Sequence, residues 1–391
     1  MLSNFLFFIC ILTSSFIFTA HSYNNKCLLH QEILLLQLKD ELIFKPYRST
    51  KLVRWKESVE CCLWPGVECD ASSYVVSLQL DGEAISGGIG NSSSLFKFKY
   101  LQKLNLAYND ISLTLPIPKG IGNLTYLTHL NLSESGFGGQ VPFEISFLKR
   151  LVILDISNGY TLRLEHPNLE MLVQNLTELR KLYLDYVYIS SLHERKNWGH
   201  IISSRLPNLT SLSMSNCNLC GPFPKSFRQL HSLSVLQLDY NDFSGVSLHD
   251  LVPKFPSLTT LTLSRCKMKG SIPSSIANLT KLIRVDLFFN FLTGSLPSTL
   301  FESFSDLVHL DLRHNSFFGN VPQSLFALPS LLELDLSYNH FNGTFQLDNF
   351  QSLPNLTLLS LSWNSLSVYT DNINSEYIWR SPIKCGNSEF M

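Results

Sequence analysis

From Val75 onward the chain repeats one spacing, L-x-x-L-x-L-x-x-N, and this period constrains the fold more than any other feature. The clearest copies set Leu101, Leu104, Leu106 and Asn109 at the marked positions, then Leu282, Val285, Leu287 and Asn290, then Leu307, Leu310, Leu312 and Asn315. Two more carry Leu331, Leu334, Leu336 and Asn339, and Leu356, Leu359, Leu361 and Asn364. Others start at Val75, Leu127, Leu151, Leu179, Leu209, Leu233 and Leu258, which makes twelve starts separated by 24 to 30 residues. A repeat of that length is one supersecondary unit, and a run of them is a stack in which each coil covers its neighbours' apolar side chains. Positions one, four and six point inward from a short strand, and the residues between them face solvent. The asparagine at position nine ends the strand. Its amide can bond backbone groups of the adjoining turn, so that stacked copies form a ladder.

Several copies add a second signature: Gly139-Gln140-Val141-Pro142, Gly270-Ser271-Ile272-Pro273, Gly294-Ser295-Leu296-Pro297 and Gly319-Asn320-Val321-Pro322, with Gly221-Pro222-Phe223-Pro224 as a variant. Glycine permits the turn, the aliphatic residue points to the core, and proline ends pairing beside it. Residues 274–279 then read as a short helical turn on the outer side. These residues resemble the plant-specific class of leucine-rich repeats, L-x-G-x-I-P. The resemblance implies an α/β solenoid: a right-handed superhelix with a parallel β-sheet on its concave face, the repeats running over 74–366.

A first coil would expose its leucines, so an array needs a lid. The spacing of Ile33, Leu34, Leu35, Leu36, Leu38, Leu42 and Ile43 predicts a helix over 28–44. Trp55 and the run Cys61-Cys62-Leu63-Trp64-Pro65-Gly66-Val67-Glu68-Cys69-Asp70 follow. Together they resemble the plant leucine-rich-repeat amino-terminal cap, C-x-W-x-G-V-x-C-D, placed here over 23–73. Four cysteines allow three pairings; the resemblance implies Cys27–Cys61 and Cys62–Cys69. Zinc is the competing reading of the cluster, but no histidine stands near it at ligand spacing.

Residues 1–22 read as a signal peptide, apolar from Leu2 to Ala20 and closing on Ala20-His21-Ser22, with a signal anchor as the alternative. Cys10 leaves with it. No later window is long and apolar enough to span a membrane. A secretory route suits the eight N-x-S/T sequons, Asn91, Asn123, Asn131, Asn175, Asn208, Asn278, Asn342 and Asn355. Cys217 and Cys266 occupy ninth positions and read as buried free thiols, and nothing pairs Cys220 or Cys385.

Thirty basic and thirty-one acidic side chains leave a net charge of -1 with no basic run, which argues against nucleic acid. No metalloprotease histidine pair, phosphate loop, nucleophile elbow or kinase signature is present. No cofactor is implied. Asp155, Asp286, Asp311 and Asp335, all fifth in their copies, read as solvating an exposed strand face. The expectation is therefore a non-catalytic recognition module. Its candidate ligand-binding residues on the concave face are Tyr186, Tyr240, Phe288, Phe289, Arg313, His314, Tyr338 and Trp363, at seventh and eighth positions. Shielding of the amide ladder is the alternative role for the tyrosines. The longer copies at Leu151 and Leu179 read as loop insertions, through 163–167 and 193–198.

From Cys27 to Trp363 the chain resembles the ectodomain of plant receptor-like proteins of the Verticillium wilt-resistance type, through SSYVVSLQLD at 72–81, LQKLNLAYN at 101–109 and LPNLT at 206–210. That resemblance implies a cell-surface or apoplastic defence receptor for a pathogen-derived protein, peptide or glycan. It also implies signalling through an adaptor receptor kinase and a co-receptor. A secreted inhibitor like the polygalacturonase-inhibiting proteins is the second reading. The pattern stops after Leu366, so residues 367–391 are expected to form an irregular tail without a cap, as in a truncated member.

Overall fold

The computed structural model describes residues 27–159, 161–251, 255–346 and 353–369. The leader peptide, Cys385 and most of the expected tail lie outside them.

Thirteen strands form one sheet in chain order. The first, Val67–Cys69, runs antiparallel to Val75–Gln79, and all later neighbours are parallel. Most are only three residues long, such as Arg284–Asp286, His309–Asp311 and Glu333–Asp335. Register is fixed by burial, because a slip of one residue would turn the leucines to water. Val285 thus pairs with Leu310 and Leu310 with Leu334, all buried. The core is one continuous cluster from the cap to Leu359. This is the plant-type leucine-rich-repeat solenoid, with the long parallel sheet on its concave face.

On the outer side Lys119–Asn123, Phe143–Phe147, Lys225–Gln229, Ser274–Asn278 and Gln323–Ala327 are single 3₁₀ segments, each directly after a proline. Proline's fixed φ prepares that first turn at no cost, since the missing N–H would be unpaired anyway. Between the two sides runs a second parallel sheet, Lys269–Gly270, Phe291–Gly294, Ser316–Gly319, His340–Gln346 and Ser365–Tyr369. Gly294 belongs to it at φ +93°, where a Cβ would also sit 3.1 Å from that of Ser271. Its last strand corrects the expected tail: residues 367–369 are not irregular, but pair with Thr344, Phe345 and Gln346.

The ninth-position asparagines form the ladder. Asn290 Nδ2 donates to the Leu287 carbonyl of its own coil (3.0 Å) and the Leu263 carbonyl of the coil before (2.8 Å), while its Oδ1 accepts from the Cys266 and Met268 amides. Asn109, Asn241, Asn315, Asn339 and Asn364 repeat the arrangement. Cys217 and Cys266 are buried free thiols in the same row. Their Sγ atoms donate to the carbonyls of Leu184 (2.9 Å) and Leu238 (3.2 Å) in the preceding coils. Burial pushes both thiols far above their usual range, which keeps them protonated as donors in the row.

In the cap, helix Leu29–Glu41 buries Leu35 and Leu38, and Trp55 stacks on Trp64 at 5.5 Å. Disulfides join Cys27 to Cys61 and Cys62 to Cys69. The helix stops short of 44. Leu42 is already extended ahead of Lys45-Pro46, and Ile43–Phe44 instead pairs antiparallel with Ile85–Gly87.

The insertion at 193–198 is no loop but part of helix Leu192–Arg205. Its Glu194, Trp198, Ile201 and Ile202 are buried, a helical period, and the indole packs among Phe223, Phe227 and Phe243. Glu194 also accepts from the amides of Leu169 and Glu170, capping the short helix Leu169–Val173 that follows the first insertion.

Candidate recognition surface

Each strand ends in one left-handed residue. Tyr108, Glu134, Tyr186, Asn216, Tyr240, Arg265, Phe289, His314, Tyr338 and Trp363 all have φ between 47° and 65°. These eighth positions therefore lie not on the strands, where the repeat arithmetic puts them, but in the turn after them, at the rim of the concave sheet. Asn158 is the exception. It is buried, and its amide reaches the Phe137 carbonyl. Left-handed backbone is costly for bulky residues, about 1–2 kcal/mol each. It is held here because each turn bonds to the next, as when Phe289 donates to the Arg313 carbonyl at 3.1 Å and Tyr338 to that of Ser362 at 2.9 Å.

The turn stacks these side chains in a column. Arg265 lies 5.5 Å from the Tyr240 ring and 4.4 Å from Phe289. Phe289 packs on His314 at 5.6 Å; His314 stacks on Tyr338 at 4.0 Å and 9°, and Tyr338 on Trp363 at 5.3 Å and 15°. Phe288, one position earlier, is sandwiched between Arg265 (5.0 Å) and Arg313 (4.4 Å). Contacts of this kind contribute roughly 0.5–1.5 kcal/mol apiece. Tyr240, Phe289, Tyr338 and Trp363 nevertheless remain exposed, Trp363 to 60%. A groove of about 550 Å³ opens against the column, bounded by Phe289, Phe291, His314, Tyr338, His340 and Trp363. Seven of the eight sequence-selected residues meet here. Tyr186 does not: it lines a separate recess of about 280 Å³ with Tyr108, Glu134 and Asp185.

Arg265 completes the column although the candidate set omits it; its eighth position was the available signal. The fifth-position aspartates also differ from expectation. Asp311 is buried, and Asp155, Asp286 and Asp335 are half-buried. Each accepts the amide two residues on, from Ser157, Phe288, Arg313 or Ser337, and so holds the strand-ending turn. Asp185 and Asp239, at seventh positions, reach across to the next strand, to Ser213 and Ser215 and to Thr262 and Ser264. They are structural acceptors, not solvating charges.

Burial and then the Asp286 charge push the Asp311 carboxyl up to about 7, and burial also raises Asp155 and Asp239. A folded chain then keeps a proton on Asp311 that the unfolded chain releases near the usual carboxylate range. Stability should fall as pH rises from about 4 to about 7, and the contribution is gone above that. Asp311→Asn should flatten this decline in melting temperatures recorded between pH 5 and 8. An unchanged slope in the variant would mean that Asp311 titrates normally.

The comparisons agree with this architecture. The profile described as "Leucine rich repeat N-terminal domain" matches residues 28–70, "Leucine rich repeat" matches 305–366, and "Leucine Rich Repeat" matches 208–230 and 257–279. Receptor-like protein 6 of Arabidopsis thaliana is 36% identical over 202 residues, 50% of this chain and 19% of the relative. Receptor-like protein Cf-9 homolog of Solanum lycopersicum is 35% identical over 188 residues, 48% of this chain and 21% of the relative. The chain thus covers about a fifth of these relatives' lengths. The crystal structure of PEPR1-AtPEP1 superposes with a TM-score of 0.52 at 28% identity, over 87% of this chain and 52% of that one. Among the described residues no helix is long and apolar enough to cross a membrane. The capped coils, the asparagine ladder and these matches show a plant-type leucine-rich-repeat solenoid whose sequence is similar to those of plant receptor-like proteins.

Proposed function

We propose that the chain is a non-catalytic, extracellular recognition module of a plant defence receptor. In this reading it takes a protein, peptide or glycan ligand along the aromatic column and signals through an adaptor receptor kinase and a co-receptor. The observation that carries this is the exposed row Tyr240, Phe289, Tyr338 and Trp363 beside an open groove. A monomer gains nothing in stability from keeping a large contiguous apolar surface in water, whereas a partner that covers it does. Arg265 and Arg313 at its flank add oriented donors. The sequons support the secretory part: Asn91, Asn123, Asn208, Asn278, Asn342 and Asn355 are exposed, and none is a member of the column. Asn131 and Asn175 are half-buried, and Asn131 lies on a concave strand with Oδ1 bonded to Ser133.

The test is capture of proteins, peptides and glycans from fungal culture filtrate by the secreted, glycosylated chain, compared with a Phe289→Ala/Tyr338→Ala/Trp363→Ala variant. The variant should lose at least tenfold in bound material while remaining folded at the assay temperature, with a melting point lowered by the lost ring contacts. Equal capture by both proteins would rule out the column as the site. If the captured partner is a polygalacturonase whose activity falls on binding, the inhibitor reading replaces the receptor one.

A further inference from the structure

Beside the aromatic column, and independent of what binds there, lies a second cluster. Asp286, His309 and Asp311 each bring one ligand atom within 4.8 Å of the others. They come from two adjacent strands: Asp286 pairs in register with Asp311, and His309 sits one inward-outward step before Asp311. Their free atoms are complementary. In each aspartate Oδ1 is taken by the backbone amide two residues on, and Asp286 Oδ1 also accepts from the Ser264 hydroxyl. Each Oδ2 has only a guanidinium for company: Arg284 at 3.5 Å from Asp286, and Arg313 Nε at 3.0 Å from Asp311. The second contact is not an aligned hydrogen bond, since Arg313 Nε is buried without a partner.

His309 is set as metal-bound histidines are. Its Nδ1 is 2.5 Å from Glu333 Oε2, and its Nε2 is buried with no hydrogen-bond partner. A buried ring nitrogen left unpaired costs free energy that a ligand would recover. A carboxylate on the other nitrogen fixes the tautomer that leaves Nε2 free to coordinate. Charge points the same way. Asp286, Asp311, Asp335 and Glu333 stand against Arg284 and Arg313, so the ionised cluster is two negative charges in excess, which one dication cancels.

We propose that Asp286 Oδ2, Asp311 Oδ2 and His309 Nε2 form a site for one divalent cation of the zinc class, with Glu333 orienting the imidazole. One nitrogen and two carboxylate oxygens suit zinc or cobalt better than calcium or magnesium, which take oxygen alone and more of it. Three protein ligands leave a position for water. Arg313, half-exposed and already 3.5 Å from Asp335, has a carboxylate to move to when the metal takes Asp311.

The experiment uses the full secreted chain, stripped with EDTA and desalted, and titrated at pH 7.5 with ZnCl₂ by calorimetry and with CoCl₂ by visible absorption. Expected are one tight equivalent of zinc, cobalt ligand-field bands of a low-coordinate N/O site, and no response to CaCl₂. His309→Gln and Asp286→Asn should each abolish that equivalent, and Glu333→Gln should weaken it by about 10–100-fold. His249→Gln, outside the cluster, should leave it intact. The cobalt spectrum of the unmodified chain stands even where a variant folds poorly. Absence of those bands, or zinc binding unchanged in both His309→Gln and Asp286→Asn, would overturn the assignment.

Discussion

Replacing Glu83 by alanine should destabilise the amino-terminal third of the protein by about 3–5 kcal/mol, the range for stripping a buried charged acceptor from its donors. Glu83 is fully buried and is the ninth residue of the first copy, the position that carries asparagine elsewhere. It turns away from the repeats toward the cap. Its carboxylate accepts from the amides of Thr50 (3.2 Å), Lys51 (3.0 Å) and Leu52 (3.0 Å), and from the hydroxyls of Ser49 and Thr50. Burial alone would raise this carboxyl, but the bonds from Ser49, Leu52, Lys51 and Thr50 outweigh it and hold it below its usual value. Glu83 therefore contributes stability that is present above the ordinary carboxylate range and lost as pH falls through it. That sign is opposite to Asp311's, so the two together put the stability maximum at mildly acidic pH.

Glu83→Ala leaves the amides of Thr50, Lys51 and Leu52, the last of them buried, without this acceptor. Glu83→Gln keeps the volume and one oxygen but turns an NH₂ toward donors, so an intermediate loss is expected. Hydrogen exchange should locate the damage: faster exchange at 49–52 and across the cap helix, with protection at 280–340 unaltered. If the amides of Thr50, Lys51 and Leu52 exchange as before, the cap is held by its disulfides and tryptophans and not by this carboxylate.

What the sequence could show follows from which features repeat. The inward leucines and the asparagines recur at fixed spacing, so the strand register and the amide ladder could be read without coordinates. Glu83 breaks the row once, at the coil that faces the lid, and a period detects what recurs, not a single exception. Helix Leu192–Arg205 was hidden for a different reason. Its apolar residues Trp198, Ile201 and Ile202 keep helical spacing, but His193, Glu194, Arg195 and Lys196 ahead of them read as a polar loop. The buried Glu194 belongs to the helix's inner face because it caps a neighbouring one.

The recognition surface was legible in membership more than in geometry. Exposed aromatics at Phe289, Tyr338 and Trp363 follow from counting positions. Their left-handed backbone does not, since phenylalanine, tyrosine and tryptophan do not favour φ > 0. That turn converts side chains on a strand face into a stacked column at its edge. The fifth-position aspartates misled for a related reason: alternation places them on the outer face, but their own turn amides and the neighbouring strands cover them. The resulting crowding of Asp286, His309 and Asp311 depends on register between coils and shows only in three dimensions.

The ladder allows a graded test at Asn315, where alanine should cost about 2–4 kcal/mol and cysteine about half as much. Asn315 is buried in the middle of the best-matched coils. Its Nδ2 donates to the carbonyls of Leu287 (2.9 Å), Leu312 (3.1 Å) and Arg313 (3.3 Å), and its Oδ1 accepts from the Leu292 amide at 3.1 Å. Alanine removes all four: the Leu292 amide loses its acceptor, and the Leu287, Leu312 and Arg313 carbonyls each lose one donor while keeping those of Asn290, Asn339 and Phe289. Cysteine keeps one donor, as Cys217 and Cys266 show by bonding the equivalent carbonyls of Leu184 and Leu238. In those coils the preceding turn's amide goes to backbone instead, Ile189 to the Cys217 carbonyl at 3.3 Å and Phe243 to that of Cys266 at 2.9 Å. A thiol at 315 would restore the donor but not that rearrangement, hence partial rescue. Urea unfolding followed by exchange at Leu292 and its neighbours should rank asparagine above cysteine above alanine. Because this row bonds coil to coil alongside the two sheets and the strand-ending turns, the alanine variant should open first between the coils at 282 and 307, not at the cap. Equal stability of the alanine and cysteine variants would show that the thiols at 217 and 266 are fillers of space and not rungs.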